Sequence, residues 1–330
     1  MPESNLTVAV TGPTGTFGFG LMPLLQADER IATVVGIARR PFDASAHGWT
    51  KMIYRQGDVR DRAALEAAFQ GTDVVVHLAF MITGAASRET IRQINVEGTL
   101  NAFRAAVAAG ARRFVYASSI AAYGFHRDNP VGMTEDWPTR PAAHLFYARE
   151  KAEIEALLHA EAAGEAGPEV YLLRPPIVLG ADAVGAKAIV PGPLAPLVRR
   201  LGGLRGRVPI PVLTPPVPIQ FIHEDDVGRA FLLCIVGAGP PGAYNITGDG
   251  VLSGAQVARE LGFAPIPAPA RLLRTAARGV AALPCIPPAA AWAEAFSHPA
   301  IMDASKAKRE LGWRPLYTSL EALRATLTSR

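Results

Sequence analysis

Two residues near the middle of the chain have the types and spacing of a proton-transfer pair. Tyr147 and Lys151 occur in the segment FYAREK, so in a helix both side chains lie on one face. A phenol with an ordinary pKa of about 10 is a poor acid or base at neutral pH. A neighbouring ammonium favours the phenolate, and the pair can then exchange a proton with a carbonyl or hydroxyl oxygen. Alternatively the pair lies on the surface, where Lys151 forms an ion pair with Glu155.

Two serines could hydrogen bond to the same oxygen. Ser118 and Ser119 end the apolar segment RFVYASS, which predicts a strand over residues 113–118. A hydroxyl that leaves this strand beside a cofactor can stabilise developing charge on a substrate oxygen.

A glycine-rich turn near the N-terminus predicts a dinucleotide site. The segment LTVAVTGPTGTFG, residues 6–18, indicates a strand, a turn and the start of a helix. Gly12 can adopt the backbone angles of a tight turn, Gly15 has no Cβ to keep a pyrophosphate away, and Gly18 allows close helix packing. The helix N-terminus directs N–H groups at the phosphates. The spacing alone is weak evidence in a chain with 31 glycines.

The end of the second predicted strand indicates which dinucleotide binds. An NAD site usually has an acidic residue here, whereas an NADP site has arginine for the 2′-phosphate. Ala38 occupies the acidic position and Arg39 and Arg40 follow it, which favours NADP and leaves NAD possible, since two arginines at a strand end could also be merely solvated. Asp58 and Val59, after the third strand, are placed to hold the adenine by its amino group and its ring.

Predicted strands and helices alternate along the chain. The strands begin at Leu6 and then cover residues 32–38, 52–55, 73–77, 113–118, 170–173 and 244–246, and long helices are predicted over residues 89–109 and 148–163. This order predicts an α/β fold, a doubly wound parallel sheet covered by helices on both faces. We assign residues 1–180 plus 219–247 to a Rossmann domain. We assign 181–218 plus 248–330 to a smaller, mostly helical substrate-binding domain, with a disordered linker at 264–291 as the alternative.

The composition indicates a globular, cytoplasmic protein. Of 330 residues 49% are hydrophobic, and the net charge of +4 comes from dispersed arginines. We interpret these as a solvated basic face rather than a surface for nucleic acid or an anionic membrane. We expect neither a membrane span nor a secretory signal. Cys234 and Cys285 lie in apolar sequence without metal-ligand spacing, which predicts reduced thiols and no metal.

Together these segments resemble an extended short-chain dehydrogenase/reductase of the NAD(P)-dependent epimerase/dehydratase family, over nearly the whole chain. The matching segments are TGPTGTFG (11–18), GDVRD (57–61), HLA (77–79), NVEGT (95–99), FVYASSIAAYG (114–124), YAREK (147–151), LRPPIVLG (173–180), FIHEDDVGRA (221–230), YNI (244–246) and LGWRP (311–315).

The resemblance implies a role for each matching residue. Tyr147 would be the acid/base, Lys151 would hold the nicotinamide ribose and lower the pKa of the tyrosine, and Ser119 would polarise the substrate oxygen. The expected cofactor contacts are Gly12, Thr14, Gly15, Thr16, Phe17, Gly18, Arg39, Arg40, Asp58, Val59, Leu78, Ala79, Phe80, Ala117, Ser118, Tyr147, Lys151, Pro175 and Val178. The expected lining of the substrate pocket is Met81, Ile82, Thr83, Ser119, Tyr123, Ile177 and the segment 181–218. Asn95 would brace the active-site strands, and His77 and His223 would be structural.

Departures from the family pattern concern the substrate. Members that act on nucleotide sugars typically carry Arg-Asp at the positions of Ile219 and Gln220, and Asn at that of Ile177. Without charged or polar partners a buried diphosphate is costly, so an apolar substrate is favoured, as in hydroxysteroid and flavonoid-type reductases. Glu150 replaces a small hydroxyl residue before the lysine, where it alters the outer helix face or the local geometry.

The sequence therefore predicts an NADP-dependent oxidoreductase that transfers a hydride between nicotinamide and a secondary alcohol or ketone of a mainly apolar small molecule. One alternative is an NAD-dependent sugar epimerase or dehydratase with internal redox, and another is a non-catalytic dinucleotide-binding regulator. Relatives often dimerise through the helices at 89–109 and 147–163, so a homodimer is possible.

Overall fold

The computed structural model describes residues 4–82, 86–142, 145–164, 167–181, 210–214, 216–268 and 298–328. The strands are β1 (Leu6–Thr11), β2 (Ile31–Ala38), β3 (Met52–Gln56), β4 (Val74–His77), β5 (Arg113–Ala117), β6 (Val131–Met133), β7 (Glu169–Arg174), β8 (Ile177–Leu179), β9 (Ile210–Thr214), β10 (Pro218–Ile219), β11 (Phe221–His223), β12 (Gly242–Asn245), β13 (Leu252–Ser253), β14 (Phe263–Pro267) and β15 (Ile301–Met302). The α-helices are α1 (Thr16–Ala27), α2 (Arg62–Phe69), α3 (Arg88–Arg92), α4 (Gly98–Ala108), α5 (Phe146–Ala162), α6 (Glu224–Ile235), α7 (Gly254–Glu260), α8 (Ser305–Glu310) and α9 (Ser319–Thr328).

Seven parallel strands form the central sheet, in the order β3-β2-β1-β4-β5-β7-β12. The inner strands β1, β4 and β5 are almost continuously buried, as expected where helices cover both faces of a parallel sheet, whereas no residue of the edge strand β3 is fully buried. The predicted α/β fold is confirmed. The strand order reverses between β1 and β4, and ligands of such sheets bind outside the carboxyl ends of the strands at this point.

Alternate side chains of the strands enter two hydrophobic layers. Val8 and Val10 of β1 pack on the side that contains Leu21 of α1 and Phe231 of α6, whereas Ala9 joins the opposite layer. Helices α1 and α6 approach closely because both have a glycine at the contact. A Cβ on Gly228 would lie 2.3 Å from the carbonyl oxygen of Gly20. The sheet therefore has a packed core on each face and presents its carboxyl edge to ligands.

The helix predicted over residues 89–109 has an internal irregularity. Between α3 and α4 the chain forms a π-helical turn, Gln93–Glu97, and continues as a helix. A π-turn inserts one extra residue into the helical register and commonly marks a functional site. Here it contains the fully buried Asn95.

The C-terminal region is mixed rather than uniformly helical. The prediction of a mostly helical substrate-binding domain does not hold at β14, which pairs in parallel with β9. Both strands contain prolines, which a two-stranded ribbon tolerates because its outer edges need no ladder hydrogen bonds. Residues 269–297, which include most of the Ala/Pro-rich segment and Cys285, lie outside the described part of the chain, and the proposed domain division stays a prediction.

Asp226 of α6 makes one of the contacts between the Rossmann part and the region after β15. Asp226 of α6 is fully buried and accepts hydrogen bonds from the backbone N–H groups of Leu316 (2.7 Å) and Tyr317 (3.1 Å). The indole of Trp313 donates to the Asp226 carbonyl oxygen at 3.0 Å. None of the helices in the described ranges is both long and apolar enough to cross a membrane.

Candidate active site

The glycine turn after β1 has the conformation that the sequence predicts. Gly12 has φ +72°, and a Cβ there would lie 2.9 Å from the backbone nitrogen of Ala79. A Cβ on Gly18 would lie 2.0 Å from the carbonyl oxygen of Pro13, so this glycine packs against the turn itself. Gly15 is exposed at the N-cap of α1 and provides no side-chain cap. The turn is thus a backbone cradle at a helix N-terminus, which fits a bound diphosphate.

The other predicted contacts at this end flank the cradle. Thr14, Thr16 and Phe17 are half-buried around the first turn of α1. Leu78, Ala79 and Phe80, which follow β4, are also half-buried. The backbone N–H of Leu78 donates to the Thr11 carbonyl at 3.0 Å. The loop after β4 therefore runs beside the glycine turn, where Leu78 and Ala79 are expected to contact the cofactor.

Tyr54 and Gln56 of β3 hydrogen bond to the backbone of residues 38–40, the segment that contains Arg39 and Arg40. The hydroxyl of Tyr54 is within hydrogen-bond distance of the carbonyl oxygens of Ala38 (3.0 Å) and Arg40. The amide of Gln56 donates to the carbonyl of Arg39 at 3.0 Å. Both arginines are exposed. The strand end is therefore fixed through its carbonyls, while the guanidinium side chains are presented at the surface. We call this arrangement the carbonyl clamp.

Asp58 and Val59 lie next to the clamp. Asp58 forms a two-fold ion pair with Arg60, with Nη2–Oδ2 at 2.7 Å and Nε–Oδ1 at 3.0 Å. The Arg60 guanidinium, more than any other group, holds the pKa of the carboxyl below its usual range. Val59 is buried against Gly98, where a Cβ would lie 2.5 Å from the valine Cγ2. The Asp58 carboxylate is therefore held by Arg60 beside the clamp, and the contact of Asp58 and Val59 with adenine stays a prediction.

His77 is a neutral structural residue. Its two ring nitrogens lie 2.8 Å from Thr11 Oγ1 and 3.1 Å from Thr99 Oγ1. Burial, aided by the charge of Lys151, lowers its pKa to about 3. A histidine that is uncharged and bonded through both nitrogens connects β4 to its neighbours rather than to a substrate.

The three predicted catalytic residues converge at the carboxyl ends of β4 and β5. Tyr147 is half-buried and hydrogen bonded to Ser119. Lys151 is only 3% exposed, and its Nζ donates to the Ala117 carbonyl at 2.6 Å and to Tyr116 Oη at 3.0 Å. The Phe80 ring meets the Tyr147 ring edge-on, with the centroids 5.5 Å apart. Tyr147 and Lys151 thus share one face of α5, as their spacing predicts.

Burial dominates the electrostatics of this group. It lowers the pKa of Lys151 to about 7, with Glu155 and Glu150 opposing the change. Burial also raises the pKa of Tyr147, and the hydrogen bond with Ser119 offsets part of that increase. Lys151 Nζ lies 5.8 Å from the Tyr147 ring centroid. Burial therefore disfavours the charged forms of both side chains in this structure.

Ser118 and Tyr123 hydrogen bond to a buried ion pair, Glu155–Arg174, rather than to Tyr147 and Lys151. The Ser118 hydroxyl donates to Glu155, whose carboxylate pairs with Arg174 (Nη2–Oε2 2.5 Å, Nε–Oε1 3.0 Å). Arg174 Nη1 in turn donates to Tyr123 Oη at 2.6 Å. The prediction that Tyr123 lines the substrate pocket is not supported, because the side chain is fully buried and its hydroxyl also contacts Asn245 Oδ1 at 2.8 Å. Glu155 therefore does not form the surface pair with Lys151 that the alternative interpretation requires.

Glu150 is buried rather than on the outer face of its helix. Only 7% of the residue is exposed, and its carboxylate accepts a hydrogen bond from Asn95 Nδ2 at 2.7 Å. Asn95 Oδ1 accepts from the Met81 backbone N–H at 2.7 Å. The expectation that Asn95 braces the site agrees with these contacts, and the outer position of Glu150 is corrected by them.

The remaining predicted residues lie after β4 and after β7. The Pro175 carbonyl accepts from the Ile120 N–H at 2.9 Å, Val178 is buried in β8, and Ile177 is half-buried beside it. Ile82 is half-buried after β4. Thr83 and most of the segment 181–218 fall outside the described residues. At the described positions, no group of three or more His, Cys, Asp or Glu side chains is arranged to hold a metal ion.

Gln220 uses its amide on the protein backbone. Its Nε2 donates to the Met302 carbonyl at 3.1 Å, and its Oε1 accepts from the Met302 N–H at 2.8 Å. The residue is 7% exposed. This position, which the family pattern associates with diphosphate binding, therefore attaches β15 instead.

Sequence reasoning missed Tyr116 and Arg174 as partners of the site. A period-two pattern places Tyr116 and Ser118 on one face of the predicted strand, and Lys151 and Glu155 have the spacing of one helix face. The structure pairs Tyr116 with Lys151 and Ser118 with Glu155. Matching the strand repeat to the helix repeat could have found both contacts.

Comparisons with known proteins agree with this geometry. A sequence model described as the NAD dependent epimerase/dehydratase family matches residues 8–247. An uncharacterized protein of Sinorhizobium fredii is 30% identical over 96% of this chain and 76% of its own length. The 3 beta-hydroxysteroid dehydrogenase type 7 of Rattus norvegicus is 33% identical over 49% of this chain and 50% of its own length. The solved structure of a dTDP-glucose 4,6-dehydratase from Streptomyces venezuelae with NAD bound has a TM-score of 0.72 at 22% identity, covering 98% of this chain and 96% of that one.

Proposed function

The chain belongs to the NAD-dependent epimerase/dehydratase family, the extended type of short-chain dehydrogenase/reductase, and on this basis we propose that it is an NADP-dependent oxidoreductase acting on a secondary alcohol or ketone of a mainly apolar small molecule. The observation that carries the proposal is the convergence of Ser119, Tyr147 and buried Lys151 where β4 and β5 end. A non-catalytic regulator would not need these three groups together.

The chain's own residues suit acid/base catalysis at a carbonyl oxygen. When bound, the dinucleotide supplies or accepts the hydride at its nicotinamide ring. The Ser119 and Tyr147 hydroxyls hold the substrate oxygen, and Tyr147 Oη gives it a proton during reduction or takes one during oxidation. Lys151, whose pKa burial lowers, would hold the ribose of the dinucleotide.

Two exposed arginines support NADP as the preferred cofactor. Arg39 and Arg40 follow β2, where the 2′-phosphate of NADP would lie, and the carbonyl clamp fixes their backbone. Guanidinium groups make charge-assisted hydrogen bonds to phosphate. Position 38, where an NAD site has an acidic side chain for the free 2′-hydroxyl, is an alanine in this chain.

The contacts of Gln220 support the apolar substrate. A nucleotide sugar needs polar or charged partners for its diphosphate, and this amide is occupied by the Met302 backbone. The hydroxysteroid dehydrogenase relative is consistent with an apolar substrate. The second candidate is internal-redox chemistry on a sugar, which the dTDP-glucose dehydratase neighbour favours by fold alone.

The homodimer remains a proposal of the resemblance. The surface of α3, α4 and α5 carries the ion pairs Arg92–Glu153 (2.6 Å) and Arg104–Glu161 (2.5 Å), so an interface there would be polar. A reducing compartment such as the cytoplasm suits the buried free thiol of Cys234.

The test begins with freshly purified protein. Any bound nucleotide is released and identified, NADPH and NADH are titrated by fluorescence, and NADPH oxidation is followed with a panel of apolar ketones. We expect tighter binding of NADPH and turnover with some of the ketones.

The Tyr147→Phe variant should lose roughly 10²- to 10⁴-fold in turnover, the usual contribution of a general acid, while NADPH affinity changes little. Retained NAD with no preference for NADPH would favour the sugar epimerase instead, and full turnover by Tyr147→Phe would refute the proton donor.

A further inference from the structure

Glu150 is a buried carboxylate that the proposed chemistry does not use. It directly precedes Lys151 on α5, is 7% exposed, and stands where the family pattern has a small hydroxyl residue. Burial raises its pKa, and the Asn95 hydrogen bond is the largest opposing effect. A carboxylate is costly to bury unless it has partners, so its contacts show what the residue does.

Asn95 is the inner partner of Glu150, and its amide is fully used. Oδ1 accepts from the Met81 N–H at 2.7 Å, while Nδ2 donates to the Met81 carbonyl at 3.0 Å and to Glu150 Oε2 at 2.7 Å. An ionised carboxylate can only accept hydrogen bonds. It therefore fixes which end of the Asn95 amide is the donor, and with it the pairing to both backbone groups of Met81.

Met81 directly follows Phe80, whose ring lies over the Lys151 ammonium. The Phe80 ring centroid lies 3.7 Å from Lys151 Nζ, and the ring meets Tyr147 at an interplanar angle of 85°. A continuous set of contacts thus runs from Glu150 through Asn95 to Met81, and from Phe80 back to the same helix one residue beyond Glu150. The loop after β4 is held to α5 at two adjacent points.

We propose that Glu150 is a positioning residue that ties the loop after β4 to the catalytic helix and so sets the place of the Phe80 ring over Lys151. The effect on cofactor binding rests on the proposed function, because it assumes that a dinucleotide enters between this loop and the helix. The effect on the loop itself does not depend on that assumption.

A nearby residue offers a matched control. Glu153 lies three positions along α5 and pairs with Arg92 at 2.6 Å, but its side chain is 37% exposed. Glu150 and Glu153 line the same surface cavity of about 540 Å³, together with Arg88, Arg92 and Phe146. Glu153→Ala removes the same charge from the same cavity without touching Asn95.

Hydrogen exchange at the Met81 amide tests the proposal directly. In Glu150→Ala we expect roughly tenfold faster exchange, the effect of losing one hydrogen bond of ordinary strength, and a several-fold weaker NADPH affinity. Glu150→Gln keeps an acceptor oxygen and should restore slow exchange, whereas Glu153→Ala should match the wild type. A thermal melt confirms that each variant is folded.

Three results would overturn the proposal: unchanged Met81 exchange in Glu150→Ala, equally fast exchange in Glu150→Gln, or equal acceleration in Glu153→Ala. If the wild type binds no NADPH, the proposed function fails, while the exchange measurement still decides the role of Glu150.

Discussion

The two ends of the site are built in opposite ways. The dinucleotide end depends on absent side chains, because a Cβ on Gly12 or Gly18 would run into backbone atoms, and Arg39 and Arg40, the proposed ligands of the 2′-phosphate, are exposed. The catalytic end depends on charged side chains that are almost fully buried. These are Lys151 (3% exposed), Glu155 (5%), Arg174 (6%) and Glu150 (7%).

This difference determines how each end tolerates change. Backbone cradles fail sterically when an atom is added, but substitutions of the exposed residues around them cost little stability. Buried ionic groups fail when a partner is removed, because the remaining charge has neither water nor a counter-charge. Function and stability are therefore separable at the exposed residues of the first end and coupled at the second end.

The largest effect should follow from breaking the buried ion pair at the catalytic end. Glu155→Ala leaves Arg174 without its carboxylate and should lower the free energy of unfolding by about 3–5 kcal/mol. Urea denaturation measures the change. The control is Glu161→Ala on the same helix, whose exposed pair with Arg104 should be worth under about 1 kcal/mol. A loss of the same small size in Glu155→Ala would contradict the contrast between the two ends.

A smaller loss of stability should follow from adding a methyl group at the dinucleotide end. Gly18→Ala places a Cβ 2.0 Å from the Pro13 carbonyl oxygen and should cost about 1–3 kcal/mol, with weakened binding of both NADPH and NADH. Gly164→Ala is the control, because the nearest atom to its Cβ would be 3.9 Å away. Equal melting temperatures for the two variants would show that the turn can relax.

Cofactor preference should change without loss of stability when an exposed arginine is removed. Arg39→Ala should weaken NADPH binding by roughly tenfold, the size of one solvent-exposed charge-assisted contact, and leave NADH binding and the melting temperature unchanged. The control is Arg112→Ala. Arg112 is exposed and directly precedes β5, at the amino-terminal ends of the parallel strands, so this substitution should change neither affinity. Parallel losses for NADPH and NADH would place Arg39 elsewhere than at the 2′-phosphate.

The smallest effect concerns His77, which lies between the two ends. Its pKa is about 3 in the folded protein and about 6.5 when unfolded, so below pH 6.5 the unfolded state binds the extra proton and stability falls. His77 should therefore lower the free energy of unfolding by about 0.7 kcal/mol between pH 7 and pH 6. His223 acts with the opposite sign, because the lowering of its pKa by burial is outweighed by the Asp225 carboxylate.

The measurement is therefore a difference. The change in unfolding free energy between pH 7 and pH 6 is compared for the wild type and His77→Gln, in which His223 is unaltered. If the two proteins respond identically to pH, His77 titrates normally and the buried neutral form is incorrect.

The contrast between the two ends also explains what the sequence could reveal. Gly12, Gly15 and Gly18 are close in the chain and act through local geometry, so their spacing predicts the turn directly. Likewise Tyr147 and Lys151 share a helix face, and Ser119 ends a recognisable strand. The seven sheet strands are apolar segments bounded by turn residues, and the observed ends fall within one or two residues of the predicted ones.

Residues whose burial depends on distant partners were not predictable in this way. Helical spacing suggests an outer position for Glu150, but its partner Asn95 is 55 positions earlier in the chain. Tyr123 contacts Asn245 across 122 positions, and no local pattern separates that from a pocket-lining tyrosine. The π-turn at Gln93–Glu97 is likewise a shift of register within a run that reads as ordinary helix.

The carbonyl clamp separates the backbone conformation of residues 38–40 from the identity of their side chains. Tyr54 and Gln56 grip the main chain at residues 38–40, and main-chain oxygens stay the same whichever side chains are attached. If Arg39 and Arg40 bind the 2′-phosphate as proposed, replacing these two side chains should change the preferred dinucleotide while the backbone that carries them keeps its hydrogen bonds.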